Sequence, residues 1–279
     1  MSRVLVQVWL LSLAFVPLVK GTPIAVPVNQ SQSSITVTLC VAGPCDTDTS
    51  PVAGESWIKL DSYSSPTTLT VYDFNYSLTQ NLNFYLSWGI FGHLTATGSN
   101  LVLDYATPFV PQAPAAVTGN AFAVVGVPSN MTGTVAYSAT GLACTALQGA
   151  GYPCADTINL ADQGTQTGDM SGTITISPTR VVTLVSQPNV SGPLDPTNPS
   201  LGTLSAAGTI TGQVTVPLRG DANLDGTLDG RDIQAFLQIL LNPSACTWQQ
   251  QFTVDMNDDD VFDTADVTLF VDCLLNGGC

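Results

Sequence analysis

The sequence predicts a mainly β protein: an antiparallel β-sandwich or jelly-roll-like domain, then a small α-helical domain at the C-terminus. Three observations carry that expectation. Short alternating or apolar runs recur from about residue 22 to 217, each bounded by Gly, Pro, Asn or Ser, the pattern of strands joined by turns. Nothing long in that stretch has the 3.6-residue period of an amphipathic helix. At residues 217–220 the β pattern stops and an Asp-rich, helix-periodic pattern begins.

The chain opens with Arg3 and an apolar run over residues 4–19, interrupted by Gln7, Ser12 and Pro17. That run is short for a bilayer span, which needs about 20 apolar residues. Val19 and Gly21 offer small residues to a signal peptidase. Residues 1–21 therefore read as a cleaved signal peptide, with an uncleaved anchor as the weaker alternative. The expected location is outside the cell or on its surface, with no membrane span after cleavage.

Strand-like runs follow at 35–41, 68–74, 82–88, 101–105, 121–127, 134–138, 172–176, 181–185 and 209–216. Many strands without helices favour a sandwich or jelly roll. Two Pro-rich stretches punctuate them, one with Pro108, Pro111 and Pro114, the other with Pro188, Pro193, Pro196 and Pro199. With strands on both sides, each reads as a long surface loop inside one domain, residues 22–217. The remaining residues, 218–279, form the second domain.

Charge narrows the function. The chain has 6 Lys and Arg against 21 Asp and Glu, and Glu55 is its one glutamate. Eleven aspartates lie between Asp221 and Asp272. Binding a phosphate backbone requires clustered cations, so nucleic acid is excluded as a partner. Seven cysteines suit an oxidising compartment, and with His93 the lone histidine and no CxxC, disulfides outrank a zinc site. Cys40 with Cys45, and Cys144 with Cys154, can each close a small loop. Cys246, Cys273 and Cys279 leave one over, and the pairing stays open.

The C-terminal region aligns on itself at an offset of 34 residues. Asp221, Asn223, Asp225, Asp229 and Asp232 fall on Asp255, Asn257, Asp259, Asp263 and Asp266. Both sets occupy positions 1, 3, 5, 9 and 12 of a twelve-residue loop, the spacing by which an EF-hand-type loop winds oxygen ligands around Ca²⁺. Position 7 contributes a backbone carbonyl, from Thr227 and Val261. Hard oxygen donors without His or Cys select Ca²⁺ over zinc or copper, and a flexible loop of this size prefers it to Mg²⁺. Two Ca²⁺ ions are expected. After each loop an apolar stripe repeats: Ile233, Phe236, Leu237, Leu240 and Leu241, then Val267, Phe270, Val271, Leu274 and Leu275. Each reads as a helix, and the two stripes are expected to pack together. Neither loop shows an entering helix. Position 6 is Gly226 in the first loop and Asp260 in the second, where a positive φ makes Asp the costlier residue.

The stretches GDANLDGTLDGRDIQAFLQILL and DMNDDDVFDTADVTLFVDCLL resemble a type I dockerin over residues 220–275. That resemblance implies two calcium loops holding an antiparallel helix pair, a cohesin-like protein module as partner, and attachment of an exported protein to a scaffold or cell surface. Positions 10 and 11, often a Ser/Thr pair in that family, are Gly230–Arg231 and Thr264–Ala265 here, so partner specificity does not carry over.

Dockerins commonly accompany polysaccharide-degrading enzymes. Glycoside hydrolysis usually needs two carboxyl groups across a cleft. The β region offers Glu55 and nine aspartates, but no pair stands out in the sequence, there is no GxSxG, and His93 is read as structural. Trp57, Trp88, Tyr72, Tyr76 and Tyr85 are candidate sugar-stacking residues; the alternation around Trp88 and Phe84 favours core packing instead. The expectation is an exported, non-catalytic protein with no catalytic residues assigned and a structural or adhesive β domain. A polysaccharide-degrading or polysaccharide-binding component is the alternative.

Overall fold

The computed structural model describes residues 22–194, 199–259 and 261–276; the expected signal peptide, Asp260 and Cys279 lie outside them. The strands are β1 (Ile24–Pro27), β2 (Ser34–Val41), β3 (Cys45–Leu60), β4 (Thr68–Leu78), β5 (Leu82–Ser87), β6 (His93–Tyr105), β7 (Ala115–Thr118), β8 (Ala121–Ala139), β9 (Ala155–Asn159), β10 (Gln166–Ile176), β11 (Val181–Ser186), β12 (Asn189–Pro193) and β13 (Gly202–Thr215). Helix α1 (Gly141–Gly149) interrupts them, and α2 (Asp232–Leu241), α3 (Trp248–Val254) and α4 (Thr264–Asn276) follow.

Among the described residues every strand pairing is antiparallel, as the sequence predicts. The ladder runs β3–β4–β6–β8–β10–β11–β13–β2 and returns to β3. The strands thus form one continuous circuit of pairings rather than two separate sheets. Three long strands make this possible by changing neighbours midway. Residues 45–51 of β3 pair with β2, and residues 52–60 pair with β4. β13 passes from β2 to β11, and β8 from β10 to β6. The sequence had read β8 as two runs because Gly126, Pro128 and Gly133 interrupt its alternation.

Two apolar compartments fill the β unit. Ile24, Ile58, Leu69, Phe74, Tyr105 and Ile174 lie in the larger, and Val37, Leu39, Leu82, Leu86, Leu94 and Leu147 in the smaller. Ile35 and Leu78 touch both. β5 has a free edge, and β3 covers it with side chains: Asp46 accepts from the Tyr85 N–H and Asp48 from the Asn83 N–H, both at 2.7 Å. These aspartates thereby blunt an edge that would otherwise pair with another chain.

Two disulfides match the local pairs. Cys40–Cys45 ties adjacent partners of the β2–β3 ladder, and Cys144–Cys154 ties α1 to the start of β9. Cys273 is also disulfide-bonded, while Cys246 is a free thiol. Among the described residues no helix is long and apolar enough to cross a membrane.

Candidate functional site: the paired acidic loops

Each acidic loop is held open by its own backbone. In the first, the Asn223 and Asp229 N–H groups donate to the two oxygens of Asp232, at 3.1 and 2.9 Å. In the second, Asn257 and Asp263 do the same to Asp266, at 3.4 and 2.9 Å. The match continues around the turn. Asp225 donates its N–H to the Asn223 side chain as Asp259 does to Asn257. Thr227 N–H donates to Asp225 as Val261 N–H does to Asp259. Arg231 N–H donates to Asp229 as Ala265 N–H does to Asp263.

Sequence alone dictates much of this frame. Asp and Asn side chains bond backbone amides two residues on, so alternating them along a loop winds it. Gly226 takes a φ of 88°, as position 6 requires. Position 4 is left-handed too, which the sequence reading did not anticipate: Leu224 has a φ of 61° and Asp258 of 60°. A non-glycine residue there is strained by roughly 1–2 kcal/mol, so the rest of the loop must hold it.

The acids at positions 1 and 12, Asp221, Asp232, Asp255 and Asp266, are buried. Burial pushes the Asp221 carboxyl above its ordinary value; the Gly226 and Asp225 N–H groups oppose this, and the Asp232 and Asp225 carboxylates add to it. Positions 3, 5 and 9 lie on the more exposed side of each loop. Among the described residues no three His, Cys, Asp or Glu side chains are drawn onto one point; the carboxylates rest on backbone N–H groups instead. In donor chemistry the residues fit a hard cation, because the set is all oxygen and buried anions demand counter-charge.

Behind the loops, Phe236 of α2 and Phe270 of α4 stack with centroids 4.0 Å apart and planes 15° apart. They occupy equivalent places in the 34-residue repeat, so the unit has internal pseudo-symmetry. Ala222, Ile239 and Val254 complete this core. The expected stripes are only partly buried. Ile233, Leu237 and Leu241 on α2, with Val271 and Leu275 on α4, are exposed, Leu241 and Leu275 at 84% and 79%. Ile239, outside the expected stripe, is buried in their place. The helix turns Phe236 and Ile239 inward, which leaves the i, i+4, i+8 row at its flank.

No helix leads into the first loop, as the sequence predicts, but one does lead into the second. Helix α3 leads directly into Asp255, and its start carries a capping box: Thr247 Oγ1 accepts from Gln250 N–H, and the Gln250 side chain accepts from Thr247 N–H. The Thr-x-x-Gln spacing was the overlooked signal.

No family model and no curated protein matches this chain.

The β unit assembles a second polar group that the sequence did not reveal. Register places Trp57 opposite Asp73, Glu55 opposite Asn75, and Asn75 opposite Asp104. Glu55 accepts from Trp57 Nε1 at 2.9 Å, Asp104 accepts from the Asn75 side chain, and Phe109 meets Trp57 edge-on at 5.3 Å. Burial raises the Asp73 carboxyl's pKa, the Phe74 N–H lowers it, and Asp104 and then Glu55 raise it further. The other candidate stacking residues disperse. Tyr72 and Tyr76 are buried, Trp88 packs on the smaller compartment, and exposed Tyr85 stacks on His93 at 5.5 Å.

Proposed function

We propose that the C-terminal unit is a dockerin-like module that binds two Ca²⁺ ions and attaches an exported, non-catalytic β domain to a cohesin-like protein on a scaffold or cell surface. The observation that carries this reading is the duplicated frame: two loops 34 residues apart share their oxygen donors and their backbone hydrogen bonds. In it Asp221, Asn223, Asp225, Asp229 and Asp232, with the Thr227 carbonyl, hold one ion. Asp255, Asn257, Asp259, Asp263 and Asp266, with the Val261 carbonyl, hold the other. Neutralising each cluster of four carboxylates removes their mutual repulsion, so uptake of the ions drives folding of a unit with a small core.

The exposed apolar rows of α2 and α4 supply the partner-facing surface, since contiguous apolar residues outside a core mark interaction sites. Capture of the protein by an immobilised type I cohesin module, in calcium but not in chelator, tests the reading. No capture by any cohesin while calcium binding persists removes the partner and leaves the metal.

A second reading for the β unit is polysaccharide binding, favoured by Trp57 and Phe109 beside Glu55, Asp73 and Asp104. Retention on an insoluble polysaccharide without release of sugars supports binding. Release of sugars supports a glycoside hydrolase, and neither outcome supports the structural or adhesive role.

A further inference from the structure

The two loops share a frame but not a setting. Beside the second, Arg219 Nη2 lies 2.8 Å from Asp258 Oδ1 and Lys59 Nζ lies 3.7 Å from the same oxygen. Lys59 also donates to the Asp258 carbonyl at 3.3 Å. Arg219 Nη1 donates to the carbonyls of Phe252 and Asp255, and its guanidinium sits 3.8 Å above the Phe252 ring. Phe252 is buried in the larger β compartment, edge-on to Tyr63 at 5.0 Å. Thr22, just before β1, reaches Asp255 Oδ2 at 3.5 Å.

This concentration is selective. From residue 22 onward the chain has four basic residues, Lys59, Arg180, Arg219 and Arg231. Three of them, Lys59, Arg180 and Arg219, border this junction; Arg180 and Arg219 line a groove of about 330 Å³ together with Asp258. Asp258 stands at loop position 4, which supplies no metal ligand, and its counterpart Leu224 is exposed. The metal frame alone therefore does not call for a carboxylate there. What Asp258 answers is Lys59 on β3 of the β unit, together with Arg219 in the segment that joins the two units.

We infer that the second loop is a calcium-dependent latch that fastens the helical unit onto the β unit through Asp258. The inference rests on the metal reading above and adds a consequence. Winding the loop around its ion holds position 4 at the left-handed φ that aims Asp258 at Arg219 and Lys59. It also fixes the Asp255 carbonyl that Arg219 grips. Because such linkage is reciprocal, docking strengthens ion binding at the second loop by the factor by which the ion strengthens docking. The first loop turns Leu224 to solvent at the same position, so its ion affinity is predicted to depend less on docking.

The test uses the full-length protein and Ca²⁺ alone. Calorimetric titration is expected to show two binding steps. Asp258→Ala should weaken one by about tenfold and leave the other in place, while Leu224→Ala should move neither. In the unmutated protein, chelation should raise amide hydrogen exchange both in residues 248–254 and in residues 59–63 across the junction. Two steps unmoved by Asp258→Ala, or exchange in 59–63 indifferent to chelation, would overturn the latch and leave calcium binding standing. Failure to bind Ca²⁺ at all would overturn both.

Discussion

The two acidic loops are near copies in their hydrogen bonding and opposites in their surroundings. The first begins beyond Gly220 and turns Leu224 toward solvent. The second is entered from α3, whose Phe252 is set in the β core, and turns Asp258 toward two cations. A repeated sequence thus specifies a repeated local frame, because Asp and Asn bond their own backbone at fixed offsets. What one copy does for the whole molecule is decided by residues outside the repeat. Lys59 lies 199 positions from Asp258 in the chain, and only the fold brings them together.

Several experiments break or sharpen that contrast. The largest effect is expected from chelation, which should abolish most of the helical circular dichroism from α2, α3 and α4 while leaving the disulfide-tied β unit folded. Helicity that survives chelation would make both loops structurally passive. Next come Asp232→Ala and Asp266→Ala. Each removes a buried carboxylate that accepts backbone N–H groups of its own loop, two at Asp232 and three at Asp266, a loss of about 3 kcal/mol in the stability of the helical unit by denaturant unfolding. The contrast predicts that Asp266→Ala alone also loosens the junction, read as faster exchange in residues 59–63. Equal effects of the two would erase the distinction.

Arg219→Ala should be milder, about 2 kcal/mol, since it deletes a partly exposed ion pair, two carbonyl contacts and a cation–π contact while leaving every side-chain metal ligand in place. Leu237→Glu on the exposed row of α2 is the gentlest for folding. It should alter stability by less than about 0.5 kcal/mol yet reduce cohesin capture. A large loss of stability would place Leu237 in the core and contradict its exposure.

How much of this was readable in advance follows from the range of the interactions. The loop positions and the helices after them rest on contacts within a dozen residues, and a sequence displays such contacts directly. The antiparallel β character was legible from alternation for the same reason. Strand β3 was not, because Pro51, Gly54 and Glu55 disguise it and its partners are set by distant pairing. Helix α1 is short, and its buried Ala143 and Leu147 give little periodic signal. The depth of burial along α2 was misjudged because an apolar stripe indicates the side a helix turns inward, while the neighbours decide which of its residues are covered. Glu55, Asp73 and Asp104 became a group only through register across β3, β4 and β6. Arg219 was invisible as a contact because its partners lie on the far side of α3.

Calorimetry of Ca²⁺ binding to the intact, metal-stripped protein tests the central claim most directly. Two ions per chain are expected, with both heats abolished in the double variant Asp232→Ala, Asp266→Ala. Titration of the unmutated protein without uptake would contradict the account. So would one ion per chain that survives in the double variant.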